Sequence, residues 1–263
     1  MFKKIFFRQK YQNHLEQSEN ITESPDDFNN INLISEYFEE ITGITFVKQK
    51  TILKSKLITF CKNNHISSFN ECLNLIKSNE QYKQDLINKL TTNETYFYRE
   101  QHQLFELVNK IKKQQGKADI LCAPCSTGEE VYSIIIMLLE NNVSLDKFKI
   151  TGIDINTQAL EKSRQGIYNE RSISKVPGDI LHKYFFKKNG KYHVINELKE
   201  HVDFKQDNVF SSSFKKNGKF DFILSRNLLI YFDKEKKLIV KDIFQKMLKN
   251  ADGKVYYGHA DLF

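Results

Sequence analysis

The chemistry this chain could perform concentrates in four short polar stretches, each following an apolar run. ADILC at residues 118–122 leads into APCSTGEE, and KITGI leads into Asp154. VDFKQ leads into Asp207 and Asn208, and FDFIL leads into Ser225, Arg226 and Asn227. In an open parallel sheet, ligands bind outside the carboxyl ends of the strands, so all four stretches can face one crevice. Small residues and one glycine in CAPCSTGEE let the backbone approach a ligand closely. Asp154 stands where an acid accepts hydrogen bonds from ribose hydroxyls, and Asp207-Asn208 suits the edge of an adenine ring. The set points to a nucleoside ligand. Neither GxGxxG nor GxxxxGK[ST] occurs, which argues against NAD dehydrogenases and P-loop NTPases. A lone Asp after a strand is also an ordinary helix cap, a reading that weakens when four strand ends are polar together.

Other residues have two readings each. Glu129 and Glu130 open a helix, where the macrodipole favours carboxylates; one could also face a cationic ligand. TTNETYFYRE, residues 91–100, gathers Thr91, Thr92, Asn93, Glu94, Thr95 and Arg99 around embedded aromatics. Alternatively, Thr92 or Asn93 caps the next helix and Arg99 is merely solvated. Cys122 and Cys125 have redox-pair spacing, but no second pair completes a zinc site, because Cys61 and Cys72 are wrongly spaced. Two small buried residues on the floor of the ligand loop is the simpler expectation. Lys48, Lys50, Lys54, Lys56 and Lys62 cluster on one segment, with no acid between Glu40 and Glu71. They form a docking face for an acidic partner or a solvated helix surface; Lys50 and Lys54, one turn apart, share a side. Histidines are scattered, and no metal-ligand cluster is visible.

These groups need elements to hold them. With 263 residues, 40% hydrophobic and 28% charged, the chain can build a real core. No run approaches the roughly 20 apolar residues of a membrane span. The N-terminus MFKKIFFRQK lacks a signal-type apolar region, and four cysteines make no disulfide scaffold. A soluble, reduced, cytoplasmic protein is expected. The net charge of +7 rests almost wholly on lysine; the arginines are Arg8, Arg99, Arg164, Arg171 and Arg226. An arginine inside a motif is therefore worth attention, because its planar fork has no lysine equivalent. Residues 1–30 read as a flexible leader. Residues 31–90 read as a small all-α domain: Leu33, Ile34, Tyr37, Phe38 and Ile41 form one stripe, stopped by Thr42-Gly43. Leu53, Leu57, Phe60 and Cys61 form a second; Ser67 or Ser68 caps a third helix with Phe69, Leu73 and Ile76; Leu86 and Leu90 mark a fourth. From about residue 117, strands alternate with helices, which predicts an α/β fold with a mainly parallel sheet. Asn189-Gly190 between two aromatic runs predicts a small antiparallel insert at about 184–197.

TTNETYFYRE, CSTGEEVYS, GIDIN followed by ALEKSRQGIY, and SRNLLIYF before GHA resemble, in matching order over residues 31–263, the CheR family of chemotaxis receptor glutamate O-methyltransferases. The resemblance implies a Rossmann-like methyltransferase domain at 91–263, preceded by the helical domain, with S-adenosylmethionine as cofactor and S-adenosylhomocysteine as product. It implies a substrate: glutamates on the cytoplasmic domains of methyl-accepting chemotaxis receptors, an acidic surface that the Lys50 and Lys54 face read from the charge pattern would complement. By motif, Asn93, Thr95, Arg99, Glu130 and Asp154 fall at cofactor positions. Asn208, Val209, Ser225, Arg226 and Asn227 fall beside the adenine and methionine parts. Arg99 and Tyr231 fall beside the transferring methyl. A sulfonium-borne methyl is a good electrophile and an ionised glutamate is already a nucleophile, so positioning rather than a general base is expected to carry catalysis. Three departures stand out. Pro124 replaces a glycine common in the family. The insert is shorter than in members that dock a receptor's C-terminal pentapeptide, which favours recognition of the receptor body without that tether. Many relatives continue past GHA with a final antiparallel strand. A monomer is the expected form. Two rival readings are a non-catalytic cofactor-sensing module that binds receptors and a nucleic-acid methyltransferase. The second lacks a broad arginine stripe, stacking aromatics or an NPPY-type motif.

Overall fold

The computed structural model describes residues 28–47 and 49–262. The expected leader therefore lies almost wholly outside the described residues, as does Lys48. Four helices come first: α1 (Asn32–Thr42), α2 (Lys50–Asn63), α3 (Phe69–Ser78) and α4 (Glu80–Leu90). Gly43 ends α1 in a left-handed conformation (φ 78°) and donates its N–H to Glu39 O. The Ser68 hydroxyl caps α3 by accepting from Glu71 N, and the Asn79 side chain caps α4. On α3, Cys72 rather than Leu73 joins Phe69 and Ile76 in the core, a small rotation of the expected stripe.

After α5 (Gln101–Lys113), five strands form one parallel sheet: β1 (Ala118–Cys122), β2 (Phe148–Asp154), β6 (Val202–Gln206), β7 (Phe222–Ser225) and β8 (Lys254–Tyr257). Their order is β6-β2-β1-β7-β8. The chain winds outward from β1 to one edge, then returns to build the other side. The reversal lies between β1 and β7, where such sheets leave a crevice. Both faces are covered, so the central strands are apolar on alternate sides. Ile120, Leu224 and Phe148 meet α5 and α6 (Glu129–Glu140). Leu121, Ile153 and Ile223 meet α1 to α4 and α7 (Lys234–Met247), so the leading helices share a hydrophobic cluster with the sheet.

The predicted hairpin is present: β4 (Phe185–Lys188) and β5 (Lys191–Val194) are joined by Asn189 and Gly190, both at positive φ. A two-residue strand, β3 (Ile167–Tyr168), adds a third member that the sequence did not announce. This small sheet packs on α6 through Tyr168, Phe185 and Val194. Helix α6 is accordingly buried at every position from Glu129 to Leu138, as a helix apolar all round must be. Among the described residues, no helix is long and apolar enough to cross a membrane.

Candidate active site

The loop between β1 and α6 forms the crevice floor. Ala123 N donates to Leu224 O and Cys125 N to Ile153 O, both at 2.9 Å, which stitches the loop to β7 and β2. Gly128 turns the chain into α6 at φ 92°; a Cβ there would lie 2.8 Å from Ser163 Cβ. Cys122 and Cys125 are buried, and burial pushes both thiols well above their ordinary range. This is the environment of inert packing residues rather than of a redox pair. Among the described residues, no group of three or more His, Cys, Asp or Glu could hold a metal.

The wall opposite the floor is the 91–100 linker, and its aromatics explain its shape. Phe97 is fully buried, edge-on to Tyr168 at 4.9 Å and to Phe185 at 5.2 Å. Its N–H donates to Ser172 O at 3.0 Å, and Tyr98 N donates to Ser133 Oγ at 3.0 Å. With the aromatics anchored inward, Asn93, Thr95 and Arg99 line the crevice. Neither Thr92 nor Asn93 caps a helix: α5 starts after Glu100, which is left-handed at φ 49°.

The acidic pair opening α6 divides its work. Glu129 is spent within the protein, accepting from Thr127 Oγ1 at 2.6 Å and Ser172 Oγ at 3.1 Å, and burial raises its carboxyl. Glu130 lines the crevice. Its Oε2 accepts from Arg226 Nε, while its Oε1 is buried with no partner. Such an orphaned acceptor costs free energy unless a donor arrives. Arg226 is 6% exposed and donates from Nη1 to Arg99 O at 2.8 Å. One guanidinium thus ties α6 to the linker through β7.

Asp154 accepts from Ser126 N at 2.8 Å and Asn156 N at 2.9 Å. Burial pushes its carboxyl up, against the pull of those N–H groups. The helix cap that Asp154 was weighed against is instead Asn156, whose Oδ1 accepts from Ala159 N. Asp154 therefore remains a crevice acid, shared with an adjoining apolar slot that Asn208 and Val209 line. The Asn208 side chain is not a free ring-edge partner. Its Nδ2 donates to Ile41 O at 2.8 Å and its Oδ1 accepts from Phe210 N at 3.0 Å. Asp207 is similarly consumed by Ser211 and Asn217. Asx side chains readily close their own loops in this way, which a strand-end reading overlooks. Ser225 is fully buried and absent from the crevice surface, its hydroxyl unpartnered. Ser225, a cofactor position by motif, thus has its hydroxyl turned into the protein rather than onto the crevice surface.

Asn227 and Tyr231 line the crevice. Burial raises the Tyr231 phenol, while the Thr92 hydroxyl and the nearby Arg99 charge pull it down. Arg99 donates from Nη1 to Glu94 O at 2.8 Å and lies over the Tyr96 ring at 5.8 Å. Two contributors escaped sequence reasoning. Ile44, Phe46 and Gln49, between α1 and α2, close the rim, and Thr45 N donates to Tyr231 O at 3.0 Å. Asp261, 3% exposed, accepts from Asn227 N at 2.5 Å, Gly258 N at 3.0 Å and Ile230 N at 3.3 Å. Its signal was a lone acid one residue beyond GHA, with nothing in its spacing to link it to SRNLLIYF.

Lys50, Lys54 and Lys62 lie along an open groove on α2, not in the crevice, although Gln49 just before Lys50 does line it. Lys56 leaves the group by donating to Leu90 O at 3.0 Å.

A family model described as "CheR methyltransferase, SAM binding domain" matches residues 93–263. A chemotaxis protein methyltransferase of Campylobacter jejuni (strain 81-176) is 38% identical over 233 residues, 88% of this chain and 88% of that protein. Chemotaxis protein methyltransferase 2 of Vibrio cholerae is 35% identical over 240 residues, 86% of this chain and 83% of that one. The chemotaxis protein methyltransferase of Escherichia coli K12 is 32% identical over 238 residues, 88% and 83% of the two chains.

Proposed function

The chain belongs to the CheR methyltransferase family and is an S-adenosylmethionine-dependent methyltransferase, and we propose that it esterifies glutamate side chains on the cytoplasmic helical domains of chemoreceptors. The observation that carries this reading is that Arg99 and Tyr231 line the same crevice as Glu130 and Asp154. A cation suited to an incoming carboxylate thus stands beside acceptors suited to an ammonium and a ribose.

The residues fit the cofactor. The buried, unpartnered Glu130 Oε1 suits an amino group, and the Asp154 carboxylate has capacity for hydroxyl donors beyond its two backbone N–H partners. When bound, S-adenosylmethionine supplies a sulfonium-borne methyl, an electrophile that an ionised carboxylate attacks without prior deprotonation. The protein's task is then to place the carboxylate in line and keep water away. Arg99 steers the carboxylate, with its Nη1 anchored on Glu94 O. It must not grip the ground state too tightly, because the carboxylate loses charge as the ester forms. The Tyr231 hydroxyl holds an oxygen of the carboxylate or lines the sulfonium pocket.

Each esterification deletes one negative charge from an acidic helical surface in the cytoplasm. Lys50 and Lys54 complement such a surface, and their reversal should raise KM in a salt-dependent way. We infer recognition of the receptor body directly; measurable affinity for a receptor's C-terminal pentapeptide would overturn that part. The deciding experiment is a base-labile methyl ester assay on receptor cytoplasmic fragments with labelled S-adenosylmethionine. Volatile label released by alkali supports the proposal. Label that stays on the protein, or none at all, refutes it.

A further inference from the structure

Four of the five arginines are accounted for or lie outside the described residues. Arg8 belongs to the latter, Arg99 lines the crevice, Arg226 clasps Glu130, and Arg164 donates from Nη2 to Phe204 O at 2.9 Å. Arg171 is different. Its side chain is 86% exposed and meets the 69% exposed Glu94 at 3.3 Å. An exposed pair of this kind adds little to stability. Its location is more telling, because Glu94 lines the crevice and its carbonyl holds Arg99. Further along the same segment, exposed Lys175 lies 5.1 Å from the Tyr96 ring, which also carries Arg99 at 5.8 Å. The bond from Phe97 N to Ser172 O fixes this segment against the linker. The crevice-lining linker is therefore flanked by a group of cations on an element separate from α2, whose lysines lie outside the crevice.

We propose that Arg171 and Lys175 form a second docking contact for the acidic helical partner, with Arg171, still beside Glu94, taking a carboxylate flanking the glutamate that reacts. This rests on the reading that the substrate is an acidic helix. Side chains three or four residues apart on a helix lie about 5–6 Å from one another, so a neighbouring carboxylate arrives at the mouth with the reactive one. Glu94 alone would repel both; Arg171 offsets it and offers a planar fork that matches a carboxylate bidentately. Lys175 adds an undirected positive charge beside it.

The test compares the whole chain with the Arg171→Glu/Lys175→Glu double variant in methylation of a receptor cytoplasmic fragment, alongside calorimetry with S-adenosylhomocysteine. KM for the fragment should rise on the order of tenfold at low salt, with kcat and S-adenosylhomocysteine affinity little changed. The difference should shrink at high salt. Replacing the flanking acids of the fragment by Gln should raise KM for the original chain and lower it for the variant, where those acids would face glutamates, the mark of direct coupling. An unchanged KM, while Lys50→Glu/Lys54→Glu raises it, would refute the second contact and leave the substrate reading standing. A fall in S-adenosylhomocysteine affinity or in kcat alone would make the role structural and overturn the proposal. An original chain that esterifies no acidic helical fragment removes the substrate reading, and this contact with it.

Discussion

Asp261 offers the sharpest perturbation of the site, because it does not line the crevice and yet shapes the loop that does. Its carboxylate gathers the N–H groups of Asn227, Gly258 and Ile230. Asn227 is left-handed at φ 61°, and a Cβ on Gly258 would lie 2.9 Å from Asn227 N, so the two strand ends are pressed together around the acid. Asp261→Asn keeps one acceptor oxygen but turns an NH2 towards backbone donors. Hydrogen bonds to a charged group contribute about 1.5–3 kcal/mol each. Some of that loss is offset because a buried charge disappears, and burial already pushes the Asp261 carboxyl upward. A net loss of about 2–3 kcal/mol is expected, which for a chain of this size lowers Tm by roughly 4–12 °C. Because the 227–231 loop carries Tyr231, kcat should fall about tenfold even well below the new Tm, since small misplacements of a positioning group are costly. S-adenosylhomocysteine affinity should change less, because Glu130 opens α6 and Asp154 ends β2, away from this loop. Scanning calorimetry, ester-forming kinetics and ligand calorimetry on one preparation separate these effects. A variant whose Tm and kcat both match the parent would refute the claim that this carboxylate organises the loop.

Arg99→Ala should lower kcat by about 10- to 100-fold, and Tyr231→Phe by roughly a third of that on a logarithmic scale, with S-adenosylhomocysteine binding better retained than turnover; equal losses in both would place these residues in cofactor binding alone. Asp154 predicts a pH dependence. Its folded-state carboxyl is raised by burial above the ordinary 3.8, so the folded chain binds that proton more tightly than the unfolded one. Stability from this group therefore increases as pH falls from the raised value towards the ordinary one, and is lost as pH rises through the raised value. Ribose recognition needs the ionised form, so S-adenosylhomocysteine affinity should decline with acidification across that same window, and Asp154→Asn should flatten the profile in calorimetric titrations. Gly43→Ala places a Cβ 2.1 Å from the Phe210 ring at φ 78°; chemical denaturation should show a loss of about 2–4 kcal/mol, and an unperturbed midpoint would mean that α1 does not depend on this contact.

Much of this architecture is legible in the chain because each central strand is an apolar run ending in a polar group, and each following helix has its own start and stop. The alternation of strands with helices, the hairpin at Asn189-Gly190 and the grouping of Asn93, Arg99, Glu130, Asp154 and Tyr231 follow from local pattern and motif. What stays hidden is long-range or short. The strand Ile167–Tyr168 has two residues, too few for any periodicity, yet the Tyr168 hydroxyl donates to Thr127 O at 2.8 Å and supports the loop that floors the crevice. Asn208 resembles a ligand contact until α1 is in place and its amide is found holding Ile41 O. Asp261 and Asn227 are 34 residues apart, and only the pairing of β7 with β8 brings them together.

Arg226 shows why the functional pieces behave as one unit. Sequence places it at the end of β7, where a ligand contact is the natural reading. It does line the crevice, but at 6% exposure, and its donors are committed to Glu130 Oε2 and Arg99 O. The acceptor proposed for the cofactor's amino group and the backbone of the residue proposed to steer the substrate therefore share one guanidinium. Lysine cannot reproduce that fork, so Arg226→Lys would have to abandon one partner. If it abandons Arg99 O, turnover falls while S-adenosylhomocysteine still binds; if it abandons Glu130, binding falls first. A variant with both properties intact would show that the two loops are held in place independently, and the coupling argued from this clasp would fail.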